Sequence, residues 1–269
     1  MNNFLQRTLT GILFVGAMVG SILIHPIAFF FVCLLVAIIG MLEFRRLLER
    51  KYGAINVFAS LLLGLSFQVL VFLDSQGVIG QSWYVVLMPK IWLPFVYELF
   101  KGGDNPFQRI ALTLMIPVYV SLPLSFLFLT ACIDGTFNAA VLLGFFILVW
   151  CNDSGAYLVG VSIGKHKLYE RISPKKTWEG FIGGIVFTLL AAYFIHHFTQ
   201  VSTLALWLSA GLTVSVFGTI GDLVESMLKR NVGIKDSGSI LPGHGGVLDR
   251  FDAVLFAAPM VFALFVLFG

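Results

Sequence analysis

Long apolar runs, separated by short polar stretches, recur from one end of the chain to the other. Cutting at the charged or turn-rich stretches gives about nine candidate spans, over residues 8–24, 27–43, 54–73, 81–100, 108–131, 137–160, 178–197, 203–223 and 252–269. Each approaches the ~20 residues that carry a helix across the hydrocarbon core of a bilayer. Helices packed in water need a polar face, and these runs have almost none. The expected fold class is therefore all-α: a polytopic integral membrane protein of about nine transmembrane helices. The dipeptide "HP" couples the second span tightly to the first, and the fourth carries Lys90 between Pro89 and Pro94. No small-x-small cleavage site follows the first apolar run, so it is expected to be retained as a span.

Composition supports this class, with 58% hydrophobic residues, 12% charged residues and 27 Phe. The distribution of charge then orients the chain. If successive loops alternate sides, sixteen of the 17 Lys and Arg residues fall in one set of loops, Lys90 being the exception. The opposite set ("HP", "DSQGVIGQ", "CIDGT", "HHFTQVST" and the C-terminal Gly269) has none. By the positive-inside rule the basic face is cytoplasmic, which puts the N-terminus inside. The net charge of +3 is spread over membrane-proximal loops, so nucleic acid is not an expected partner. Cys33, Cys132 and Cys151 lie in or at the ends of apolar runs without metal-ligand spacing, and read as small apolar residues. No repeat of fixed period is present. Residues 1–135 are expected to form a scaffold of transmembrane helices, and 136–269 a catalytic region with polar motifs.

Those motifs fall in three segments of the second half. In "WCNDSGAYLVGVSIGK", Asn152 and Asp153 interrupt the sixth apolar run near its cytoplasmic end, where a carboxylate is costly and generally functional. Gly160 and Gly164 make a small-xxx-small pattern expected to serve helix packing, and such patterns are compatible with a homodimer. The same residues match G-x-S-x-G, but a nucleophile elbow requires a strand-turn-helix setting that the end of a span does not provide. In "RISPKKTWEGFIGG", Ser173 and Pro174 predict a helix start, with Ser173 as N-cap and Pro174 at the first position. Lys175 and Lys176 would then stand at a helix N-terminus, a site that favours an anion such as phosphate. Ordinary positive-inside charge is the competing explanation for both lysines, but it leaves Glu179 unexplained.

The third segment is "GTIGDLVESMLKR". On a helix, Asp222, Glu225, Ser226, Lys229 and Arg230 share one face, with acids toward the membrane and bases toward water. Surface ion pairing accounts for Glu225 with Lys229, but not for Asp222, which is still within apolar sequence. After the loop, Asp249 and Asp252 open the last span on either side of Arg250. Asp222 and Asp249 thus lie at cytoplasmic ends of sequential, antiparallel helices, a geometry that can bring their carboxylates together. Paired carboxylates need a cation between them, and oxygen ligands without Cys or a His pair suit Mg²⁺.

With these residues assembled, "SMLKRNVGIKDSGSILPGHGGVLDRFD", from Ser226 to Asp252, resembles the signature of the phosphatidate cytidylyltransferase (CDP-diacylglycerol synthase) family without a break. "NDSGAY", "SPKKTWEG" and the upstream "GD" are similar to its companion motifs. The resemblance covers roughly residues 150–255, and the first 135 residues match only as hydrophobic spans. It implies transfer of CMP from CTP to phosphatidate, giving CDP-diacylglycerol and pyrophosphate, with Mg²⁺ as cofactor and CTP and membrane phosphatidate as partners. Asp222 and Asp249 would hold the metal and, with Lys229 and Arg230, form the catalytic set. Lys175, Lys176, Ser226, Lys235, His244, Gly245, Gly246 and Arg250 would bind substrate phosphates, the glycines by exposing backbone N–H groups. Asp153, Glu179, Glu225, Asp236 and Asp252 would support the metal ligands. The expected location is a bacterial cytoplasmic membrane, with the site facing the cytoplasm.

Three other functions compete. A CTP-dependent lipid kinase of the dolichol kinase type handles similar substrates, but the "KD...PGHGGVLDRFD" run argues against it. A CDP-alcohol phosphatidyltransferase would show D-x2-D-G-x2-A-R, which is missing. An organic-anion transporter would break helices near mid-membrane in two related halves, whereas these charges crowd one surface of one half.

Overall fold

The computed structural model describes residues 3–234, 237–238 and 245–269, with side chains described from Gly11 onward. Lys235, Asp236 and His244, three of the expected site residues, lie outside the described residues. Among the described residues the regular structure is helical apart from one small hairpin and a single bridge residue at Gly245. Among the described residues seven helical segments are long and apolar enough to cross a membrane.

The chain forms two compact units, Met1–Leu129 with Val232–Arg250, and Thr130–Asn231 with Phe251–Gly269. The described residues just before the last helix therefore group with the N-terminal half of the chain.

In the first unit, α1 (Asn3–Ile24) and α2 (Pro26–Tyr52) are separated only by His25, which caps α2 by accepting the Ile27 N–H at 3.2 Å. Helix α3 (Val57–Ser75) follows, capped by Asn56. The expected fourth span is not one regular helix: a 3₁₀ turn over Gln81–Leu87 leads into α4 (Met88–Lys101). Pro89 and Pro94 account for the irregularity, since proline lacks an N–H and crowds the preceding turn. The fifth span is likewise divided into α5 (Pro106–Tyr119) and α6 (Ser121–Ala131), with Pro117 just before the break. Polar contacts bridge this region to α3: the Ser121 hydroxyl donates to the Gly64 carbonyl at 2.6 Å, and Gln68 Nε2 donates to the Ser121 carbonyl at 3.4 Å. In lipid such bonds are the usual way a broken helix satisfies its backbone. Phe30, Phe72 and Phe128 stack into the apolar core of this unit. An ion pair also lies here: Arg109 meets Glu98 at 2.6 Å and donates to the Asp104 and Gly102 carbonyls, tying down the turn between α4 and α5.

The second unit holds α7 (Ala139–Ile163), a hairpin of β1 (Lys167–Tyr169) and β2 (Ser173–Thr177), α8 (Trp178–Thr199), α9 (Leu204–Asn231) and most of α10 (Leu248–Phe268). Glycines let α7 and α8 approach closely. A Cβ on Gly183 would stand 2.5 Å from Val159, and one on Gly155 2.6 Å from the Phe187 ring. Gly160 faces the Gly180 backbone, so the small-xxx-small pattern is used within the chain. Polar contacts join α8 to α9, where Ser215 donates to the Thr188 hydroxyl at 3.1 Å. Gly221 on α9 packs against the backbone of Asp252 on α10, a contact that leaves no room for a side chain.

Candidate active site

The local structure around "SPKK" differs from expectation. Ser173 and Pro174 do not start a helix; they belong to β2, and α8 begins at Trp178 with Thr177 as its cap. The Thr177 hydroxyl accepts the Gly180 N–H at 3.1 Å, satisfying one of the free donors of the first turn. The Ser-Pro signal misled because Thr is equally competent to cap and the hairpin claims the residues before it. Lys175 and Lys176 consequently reach the site from an extended strand.

The hairpin is fastened by Glu179, the carboxylate that positive-inside charge left unexplained. Glu179 accepts the backbone N–H groups of Lys165 and His166 at 3.1 and 3.2 Å and meets the His166 ring at 2.5 Å. Its role in the structure is to anchor the chain leaving α7 to the first turn of α8.

These elements enclose a cavity of about 480 Å³, within the size range of small-ligand sites. Its polar wall includes Asn152, Asp153, Lys175, Lys176, Thr219 and Asp222, and its apolar wall includes Ala156, Tyr157, Val161, Leu168 and Phe181. Lys176 makes an ion pair with Asp222. With side chains 26% and 38% exposed, that pair is partly solvated and worth only about 0–1 kcal/mol, so an incoming ligand can exchange either partner. Asn152 is buried with its Oδ1 lacking a hydrogen-bond partner among the described residues and set against Gly184 of α8.

The acids on α9 and α10 concentrate negative charge in the same unit. Asp153, Asp222 and Glu225 all lie within electrostatic range of Asp252. Glu225 is fully buried and bonds Lys229 at 2.7 Å, as the spacing predicts, while Ser226 donates to Asp222 at 3.4 Å. Among the described residues no three His, Cys, Asp or Glu side chains converge in the manner of an all-protein metal cage. The donor set nonetheless fits Mg²⁺, which takes one or two carboxylates and completes its shell with water and substrate phosphates.

In the first unit, Asp249 in the opening turn of α10 has different surroundings. Its Oδ2 accepts the Ser237 N–H at 3.0 Å, the Ser237 hydroxyl at 2.9 Å and the Gly246 N–H at 2.7 Å. Gly246, expected to offer its N–H to phosphate, thus donates to Asp249, while Gly245 adopts a φ of +83°, a conformation that favours glycine. Arg250 is exposed beside it. Sequence reasoning missed Glu43 on α2, whose buried carboxylate accepts the Leu248 N–H at 3.0 Å. An acid inside the second apolar run was the available signal. Ser162, the central residue of the G-x-S-x-G match, is exposed on α7 and donates to the Leu158 carbonyl one turn back, with no base beside it among the described hydrogen bonds.

A helical membrane protein with a lysine- and aspartate-lined cavity between its helix ends has the features of an enzyme that handles phosphate esters at a bilayer surface. The cytidylyltransferase family profile matches residues 5–268, and the chain belongs to that family. Among its relatives, the phosphatidate cytidylyltransferase of Bacillus subtilis (strain 168) is 32% identical over 268 residues, covering 98% of each chain. That of Staphylococcus saprophyticus is 37% identical, covering 84% of this chain and 95% of the relative. The Staphylococcus aureus (strain COL) protein of the same name is 34% identical with the same coverage.

Proposed function

We propose that the protein transfers CMP from CTP to phosphatidate, producing CDP-diacylglycerol and pyrophosphate at the cytoplasmic surface of a bacterial inner membrane. The observation that carries this reading is the cavity of the second unit, which sets Lys175, Lys176 and Asp222 against an apolar wall. The names of the relatives point to the same substrate.

In this reaction a phosphate oxygen of phosphatidate attacks the α-phosphorus of CTP. The bond from that phosphorus to the β-phosphate bridging oxygen breaks, and pyrophosphate leaves with the electron pair. The second pKa of a phosphate monoester is about 6, so the nucleophile is largely ionised at neutral pH and needs no strong base. The protein's task is to position two polyanions and neutralise their charge. Lys175 and Lys176 bind phosphate oxygens in the cavity, and Lys229, Arg230, Lys235, Arg250, Ser226 and His244 are assigned to further phosphate contacts. Contact through the Gly246 N–H requires it to exchange its bond to Asp249. Asp222 is assigned to Mg²⁺, which when bound would offset charge on the CTP phosphates. Asp249 carries the same assignment as a separate role, tested by its own substitution. Asp153, Asp236 and Asp252 support these carboxylates, with Glu225 holding Lys229 and Glu179 holding the hairpin.

The test is an assay of purified protein in detergent with Mg²⁺, phosphatidate and CTP labelled at the α- or γ-phosphate. The α-label should enter lipid while the γ-label leaves as pyrophosphate. Transfer of the γ-label to lipid would replace this reading with a CTP-dependent lipid kinase.

A further inference from the structure

Glu43 is 1% exposed, lies 205 residues before its hydrogen-bond partner Leu248, and belongs to none of the polar motifs of the second half. Its carboxylate is directed at the glycine-rich stretch. Oε2 accepts the Leu248 N–H at 3.0 Å, and the Val247 N–H lies close to the same carboxylate. These are free donors at the start of α10, where negative charge is favoured by the helix dipole. Oε1 has no hydrogen-bond partner among the described residues and faces Gly238, where a Cβ would stand 2.6 Å away. A Cβ on Gly246 would stand 2.6 Å from Oε2. Two glycines of the signature are thus explained by the space that Glu43 occupies.

Asp249 is held from the other side of the same stretch. It bonds Ser237, the neighbour of Gly238, and Gly246, itself packed on Glu43, and it lies within electrostatic range of Glu43. The two carboxylates therefore grip one backbone segment: Glu43 fixes where α10 starts, and Asp249 fixes how residues 237 and 246 meet.

We propose that Glu43 is a positioning residue for the cytidylyl transfer, setting the conformation of the glycine-rich stretch and, through it, the orientation of Asp249. This rests on the reading that the stretch serves the active site. It assigns Glu43 no contact with substrate. An acceptor oxygen at this position is the requirement, so Glu43→Gln, which keeps one, should retain turnover within about fivefold, whereas Glu43→Ala should lose roughly 100-fold in kcat, on the order of a lost charged hydrogen bond.

The decisive measurement pairs turnover with amide hydrogen exchange in the full-length protein in detergent. In Glu43→Ala the amides of Ser237, Gly246 and Leu248 should exchange at least about tenfold faster, with those of α7 and α8 unchanged. Gly238→Ala should mimic this in the native background and add no further loss to Glu43→Ala, since the colliding carboxylate is then gone. Near-native turnover or unaltered exchange in Glu43→Ala would overturn the proposal. So would accelerated exchange through all helices, which would make Glu43 a residue of general stability, and so would a Glu43→Gln variant as impaired as Glu43→Ala. Absence of cytidylyl transfer in the native protein would refute the reaction instead, and the exchange data would still judge the grip of Glu43 on the loop.

Discussion

Asp222 and Asp249 carry the same side chain in opposite settings. Asp222 borders an open cavity and pairs with a partly solvated lysine, an arrangement a ligand can exchange at little cost. Asp249 is committed to backbone and hydroxyl donors of one short segment, with a second carboxylate, Glu43, gripping the same segment. One acid is available and the other is built in. The division matches a general economy of polyanion chemistry, in which part of the machinery must be fixed beforehand and part must yield to substrate.

Substitution can break this contrast. The largest effect is expected for Asp222→Asn: a loss of turnover of roughly 10³-fold, comparable to removing a key electrostatic group, with an unchanged melting temperature. A melting temperature several degrees lower would instead make Asp222 a structural acid. Asp249→Asn should also lose most turnover but melt several degrees lower, because a neutral amide oxygen binds the three donors more weakly than a carboxylate, whose charge-assisted bonds contribute about 1.5–3 kcal/mol each. Equal melting of the two variants would erase the distinction. Lys176→Met should cost about 10- to 100-fold in kcat/KM, with Asp222 losing its only ion-pair partner among the described residues. Gly183→Leu, which drives a side chain into Val159, should lower stability by about 1–3 kcal/mol in thermal unfolding. The smallest effect belongs to Ser162→Ala, expected to stay within about twofold of native turnover, since one helix-internal hydrogen bond contributes only about 1 kcal/mol. Loss of all activity there would revive a serine nucleophile.

Much of this was legible in the sequence because lipid leaves few options. A run of apolar residues without polar relief must become a helix, so the helical class and most spans followed from pattern alone. The i, i+4 pairing of Glu225 with Lys229 is a local consequence of helix geometry and was equally predictable. The start of α8 was not, because Ser173 and Thr177 are both good caps and the choice depended on a hairpin held by Glu179. The divided fourth and fifth spans were marked by their prolines, but where a proline breaks a helix depends on which neighbour takes up the freed groups, here the Ser60 hydroxyl donating to the Thr113 carbonyl.

The chain's own pattern determined that it is a helical membrane protein, and its motifs identified the residues that carry charge at the helix ends. Periodicity and spacing act over a few residues, and these features need nothing more. Only the tertiary structure decided that Lys175 and Lys176 arrive on a strand, that an open cavity adjoins Asp222, and that Glu43, 205 residues away, bonds the start of α10. Contacts of that kind depend on which helices pack together, and no local pattern encodes them.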